Sequence, residues 1–181
     1  MSQPTTYALS ARVMHWAMAL LLLSMIFAGL AMVQSLQPWH LTLLGLHKSF
    51  GVIALLAVIV RLIIRLRNAT PALPDSIPAM QKRIAHASHW LLYAAMFAMP
   101  LSGYFMQNAA GRPVAVFDWF TLPALLPESL PLYGFFREMH ALVAWALIAL
   151  LLIHIAAALH HGLVKRDGVL QSMTGRKQKQ Q

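Results

Sequence analysis

Histidine is the residue type here whose placement suggests chemistry. The chain of 181 residues has nine of them and no cysteine. Four lie in the last hydrophobic stretch, residues 139–164: His140, His154, His160 and His161. That stretch exceeds the about 20 apolar residues needed to cross a bilayer. An ionisable side chain inside such a span is costly and marks a functional site by default. His140 and His154 are 14 residues apart, close to four turns of about 3.6 residues, so they share a face at depths about 21 Å apart. His161 follows seven residues later on nearly the same stripe, while His160 points elsewhere. Imidazole is a metal ligand as well as an acid and base. One helix offering it at two depths suits two stacked metal centres. The lack of cysteine excludes disulfides, thiolate sites, iron–sulfur clusters and covalent haem attachment through Cys-x-x-Cys-His. Any haem would be held by coordination and packing alone.

The elements that must position these residues are membrane spans. The length suits one domain covering 1–181. The composition is 59 % hydrophobic and only 10 % charged, a surface suited to lipid. Four spans are expected, at about 13–33, 49–66, 85–106 and 139–164. The formal charge of +9 would suit nucleic acid, but the positive-inside rule accounts for it better, and no nucleic-acid partner is expected. Arg12, Arg61, Arg65, Arg67, Lys82, Arg83, Lys165, Arg166, Arg176, Lys177 and Lys179 fall on one side of the four spans. Only Lys48, Arg112 and Arg137 fall on the other. Of the acids, Asp75 and Asp167 join the first side, and Asp118, Glu128 and Glu138 the second. Both termini are therefore expected in the cytoplasm. The first span follows Arg12 and contains small residues, yet its apolar run exceeds a signal-peptide core and no sharp Ala-x-Ala site follows; it is expected to be retained.

Each of the other spans opens or closes on a candidate. The first begins Arg12-Val-Met-His15-Trp16, with Trp16 as an interface anchor; a histidine at headgroup level is the bland alternative for His15. The second begins Leu46-His47-Lys48-Ser49-Phe50-Gly51. Gly51, one turn after His47, would leave that face bare for a flat macrocycle. Arg61 lies 14 residues after His47 on the same stripe, where it could pair with propionates or snorkel to the surface. The third begins His86-Ala-Ser-His89-Trp90. These two histidines compete with His15 as ligands, or contact a propionate or a quinone, or simply pack. Pro100 and Ser102-Gly103 read as helix packing. The loop 107–138 is the longest and carries Val116-Phe-Asp-Trp119-Phe120, an aromatic cluster suited to the interface. A loop of that length commonly serves as a lid or docking surface. Residues 68–82 read as a proline-rich linker, and the basic tail as attraction to anionic lipid. The sequence shows no repeat, no Gly-rich phosphate loop and no catalytic triad.

One pairing satisfies all depths. His47 and His140 sit at the outer side, and His15 and His154 in the inner half. Each pair can hold one haem iron from opposite faces. Two histidines fill both axial positions, which suits electron transfer rather than oxygen activation. Small residues near each candidate ligand, Ala19, Gly51, Ala144 and Ala158, help a macrocycle approach.

With these residues in view, the chain resembles the bacterial cytochrome b561 family. The resemblance runs from Arg12 to about Met173 and rests on several motifs. They are His15-Trp16, Leu46-His47-Lys48-Ser49, Val60-Arg61-Leu62-Ile-Ile-Arg65, His86-Ala-Ser-His89, Pro100-Leu-Ser-Gly103-Tyr104 and His154-Ile-Ala-Ala-Ala-Leu-His-His161. Lys165-Arg166-Asp167 is similar to the family's Lys-Asp run. The resemblance implies an all-α, four-helix transmembrane bundle with two b haems in the bacterial inner membrane. It also implies His15 and His154 on the inner haem and His47 and His140 on the outer one. In superoxide-oxidising members a histidine just past the inner ligand lies at a ubiquinone site, and His161 matches it best, by helical phase.

The expectation is therefore a superoxide oxidase-like quinone oxidoreductase. Superoxide gives one electron to the outer haem, and the electron crosses to the inner haem and on to ubiquinone near His161. Lys48, Arg112 and Arg137 would attract the anion. An alternative keeps the haems and makes the chain an electron-transfer subunit for a periplasmic or membrane partner. An alternative of another class is a histidine-lined ion transporter without haem.

Overall fold

The computed structural model describes residues 5–34, 37–117 and 119–175. Asp118, Arg176, Lys177 and Lys179, four of the charges assigned to sides above, lie outside them. The described residues form four long helices: α1 (Leu9–Gln34), α2 (Trp39–Arg67), α3 (Ala79–Ala109) and α4 (Leu130–Leu159). A short hairpin, β1 (Val114–Val116) and β2 (Phe120–Leu122), separates α3 from α4. A π-helical turn, His160–Lys165, extends α4 and leads to the short α5 (Val169–Thr174).

Leu, Ala and Met dominate the helices and lose little freedom there. Proline marks the starts. Pro38 and Pro78 stand at the N-caps of α2 and α3, and a proline sits in the first turn of α4, where a missing N–H costs nothing. Ser129 caps α4 by accepting the Leu132 N–H at 3.5 Å. The α4 helix thus begins well ahead of the hydrophobic stretch at 139, and part of the region read as loop is helix. Helix α3 runs on through Pro100.

The four helices meet in one core. Met18 and Leu22 of α1, Val58 of α2, Leu92, Tyr93, Ala95 and Met96 of α3, and Leu147 of α4 are its buried members. The outside is apolar. Leu20, Phe27, Leu142, Trp145, Leu152 and Ile153 are all exposed, the pattern of helices facing hydrocarbon. Helices α1, α2 and the run Leu130–Lys165 are long and apolar enough to cross a membrane. Helix α3 has the length, but Lys82, Arg83, His86, His89, Gln107 and Asn108 dilute its apolar character.

The two ends of the bundle are closed differently. At one end the hairpin is pinned onto α2. The Ser49 hydroxyl accepts the Phe117 N–H at 3.0 Å and lies 3.4 Å from the Ala115 carbonyl. Lys48 donates to the Pro113 carbonyl at 3.2 Å. Phe117 has φ +47°, a left-handed conformation uncommon for a bulky residue; its N–H bond to Ser49 and edge contact with Phe50 hold it there. Asn108 accepts the Leu125 N–H at 2.6 Å, and Tyr104 donates to the Pro123 carbonyl. At the other end α5 folds back over the start of α1. The Tyr7 N–H bonds the Ser172 carbonyl at 3.1 Å, and the Trp16 indole N–H bonds the Met173 carbonyl at 3.3 Å.

Candidate functional site

Two groups of histidines lie inside the bundle, one near each end. Near the hairpin, His47 of α2 faces His140 of α4 with ring centroids 6.4 Å apart. The His140 Nδ1 lies 3.1 Å from the Met99 carbonyl oxygen and 3.1 Å from the Ser102 hydroxyl. A carbonyl only accepts, so Nδ1 carries the hydrogen and Nε2 keeps a free lone pair. Glycine makes the room. A Cβ on Gly103 would stand 3.0 Å from His140 Cε1, and one on Gly29 would stand 3.7 Å from His47 Cε1. The His47 Nδ1 is buried with no hydrogen-bond partner among the described residues.

Near α5 there are three histidines. His15 of α1 faces His154 of α4 at 6.2 Å between centroids. His89 of α3 lies on His154 at 5.7 Å. Arg61 donates from Nη2 to His15 Nδ1 at 2.8 Å and reaches the His15 carbonyl at 3.5 Å. Guanidinium has donors only. His15 Nδ1 is therefore the accepting nitrogen, and the proton of the neutral ring sits on Nε2. Arg61 and Arg65 also flank the Tyr93 ring, at 6.0 and 5.8 Å from its centroid.

The structure thus brings His47 to His140 and His15 to His154. It separates the two third-helix histidines, with His89 inside the α5-end group and His86 exposed. Gly51 does not front a histidine; a Cβ there would meet Met25 at 3.9 Å. The glycines that do, Gly29 and Gly103, carry the same sequence signal but precede or face the histidine on another helix.

The remaining candidates are scattered. His161 lies beyond α4 in the π-helical turn. The α-helical phase used to prefer it over His160 does not continue there, because i→i+5 bonding changes the angle per residue. Its Nδ1 instead meets Asp167 Oδ2 at 2.5 Å, and His160 is exposed beside it, rings 6.0 Å apart. Lys48 is tied to Pro113 beside Arg112, and Arg112 lies over the Tyr133 ring at 5.7 Å. Arg137 pairs with its neighbour Glu138 at 3.3 Å on the surface.

The family model described as prokaryotic cytochrome b561 matches residues 6–176. The chain is 31 % identical over 175 residues to Cytochrome b561 homolog 2 of Escherichia coli (strain K12), covering 96 % of this chain and 93 % of that one. It is 28 % identical over 171 residues to Probable superoxide oxidase CybB of Yersinia pestis, covering 90 % and 92 %. Cytochrome b561 homolog 1 of E. coli (strain K12) is 27 % identical over 173 residues, covering 91 % and 94 %. The chain belongs to the prokaryotic cytochrome b561 family, membrane electron-transfer proteins that bind b-type haem.

Proposed function

We propose that the chain is a dihaem oxidoreductase of the bacterial inner membrane, with all four long helices crossing it. It oxidises superoxide to dioxygen at the hairpin end and reduces ubiquinone at the α5 end. The observation that carries this reading is the spacing of the two facing imidazole pairs, 6.4 and 6.2 Å between centroids. Two metal–nitrogen bonds of about 2 Å each, plus about 1 Å from each nitrogen to its ring centre, require about 6 Å. The residues present fit the group. His47 and His140 would hold one haem, and the glycine recesses at Gly29 and Gly103 and the orphaned His47 Nδ1 support this. His15 and His154 would hold the other, with Arg61, 2.8 Å from His15 Nδ1, placed where it could pair with a propionate. Haem bound at each pair would supply a one-electron carrier at each of two depths.

The overall reaction balances as two superoxide plus quinone plus two protons, giving two dioxygen plus quinol. Lys48 and Arg112 frame the hairpin where the anion would arrive, while Arg137 is locally neutralised by Glu138. Steering by such charges falls with ionic strength. A salt-independent rate with superoxide would rule it out. The excess of arginine and lysine at the α5 end supports a cytoplasmic location for both termini. Family membership favours electron transfer over the histidine-lined transporter.

A reduced-minus-oxidised spectrum with haem counted per chain tests the core of the reading. Two haems per chain, reduced by superoxide and reoxidised by ubiquinone, are expected. Two haems that ignore superoxide would support the second reading, an electron-transfer subunit for a separate partner. That reading is favoured by the exposed apolar hairpin tip, where Trp119 is 81 % exposed and Phe120 and Leu125 are also open.

A further inference from the structure

The chain's carboxylates are few, and among the described residues one of them is pressed against a histidine. The His161 Nδ1 lies 2.5 Å from Asp167 Oδ2, with side chains 22 % and 13 % exposed. The other carboxylate oxygen, Asp167 Oδ1, accepts the Val169 N–H at 3.2 Å. Asp167 is thereby anchored to the backbone of α5, and His161 is anchored to Asp167. A π-helical turn, an arrangement frequent at functional sites, carries the histidine. Gly162 lets α5 close on that turn, since a Cβ there would run into Leu170. The flanking residues Leu159, Leu163 and Val164 are exposed and apolar. A partly buried polar pair therefore sits at the edge of a lipid-facing surface, where a lipid-soluble reactant can reach it.

We propose that Asp167 is the positioning residue that orients His161 for proton delivery to the quinone. The inference rests on the quinone reading above. A carboxylate only accepts, so Nδ1–H of His161 points at Asp167 and Nε2 is the nitrogen left for a ligand. An aspartate in this relation fixes the tautomer and stabilises the imidazolium. Quinone needs two electrons and two protons to become quinol. At each delivery the His161 Nε2–H bond breaks, a quinone O–H bond forms, and water on the α5 side reprotonates the ring. The charged or titratable groups around the pair are His160 on the same turn, and Lys165 and Arg166 that follow. Arg166 donates to the Leu163 carbonyl at 3.2 Å. Helix α5 carries no titratable side chain.

The test uses the full-length haem-loaded protein, prereduced and mixed with short-chain ubiquinone or with ferricyanide, which takes electrons without protons. Asp167→Ala should lower the maximal rate of quinone-driven haem reoxidation at least tenfold, leave half-saturation within about twofold, and leave the ferricyanide rate unchanged. Asp167→Asn is isosteric and lacks the charge, so it should lie between Asp167→Ala and the parent. An Asp167→Ala protein that quinone reoxidises at the parent rate overturns the inference. So does an equal loss toward both oxidants in both variants, which would make Asp167 structural. If the parent itself reacts with ferricyanide and never with ubiquinone, the quinone reading falls and takes this inference with it.

Discussion

The two histidine groups differ in which ring nitrogen their neighbours leave open. At the hairpin end, His140 already has its hydrogen on Nδ1, donated toward Met99, and its Nε2 free. Gly103 gives that ring its place. At the α5 end, His15 has the opposite tautomer because Arg61 occupies its Nδ1, and a third imidazole, His89, crowds His154. Spacing along a helix sets the depth of a ligand. The second hydrogen bond sets which nitrogen is offered. One group thus offers His140 Nε2 with Nδ1 already tied to a carbonyl, and the other holds His15 Nδ1 under a guanidinium.

The largest effect should come from removing a ligand, and it separates the two ends. His140→Ala should leave one haem per chain instead of two, counted by pyridine haemochrome, with the remaining haem at the α5 end. His154→Ala should do the converse. His89→Ala should keep both haems; a loss there would make His89, not His15, the partner of His154. Next comes Gly103→Leu, which drives a side chain into the space of the His140 ring. It should empty the hairpin end while the α5 end stays loaded, and two intact haems would mean that the recess is not needed. Arg61→Gln should keep both haems and lower the reduction potential of the α5-end haem alone, by roughly 60 mV for about 1.4 kcal/mol of lost charge stabilisation of the reduced form. Equal shifts at both ends in a redox titration would mean that Arg61 does not act on the α5 end alone. The smallest effect is Ser102→Ala. It removes one of two contacts on His140 Nδ1, a hydrogen bond worth about 1 kcal/mol. The expected change in Tm is a fall of about 2–4 °C, with the α5 end unaffected.

Much of this was legible in the sequence, because helical periodicity is a strong rule over long apolar runs. The 14-residue interval between His140 and His154, with His15 and His47 near the ends of their own helices, was enough to pair them. What periodicity reaches stops at the helix surface. Gly103 looked like ordinary packing because the ring it admits belongs to another helix, 37 positions later. Gly51 looked like the recess because it is one turn from His47, yet Met25 from α1 lies nearest there. His86 and His89 were indistinguishable by type, and only the rotation of α3 against α4 put His89 inside. The π-helical turn removed the phase argument for His161. What singles that residue out instead is Asp167, six positions on in a charged run beyond the reach of helical periodicity. The hairpin was hidden because its strands have three residues each, too few for an alternating pattern.

Both facing pairs draw one histidine from α4, the last long helix, and the other from α1 or α2. Neither pair can exist while the chain is still emerging, since helices one to three offer only half of each. The latch of α5 onto Tyr7 and Trp16 closes later still. Both pairs therefore wait on the last long helix, which alone brings an imidazole opposite His47 and another opposite His15.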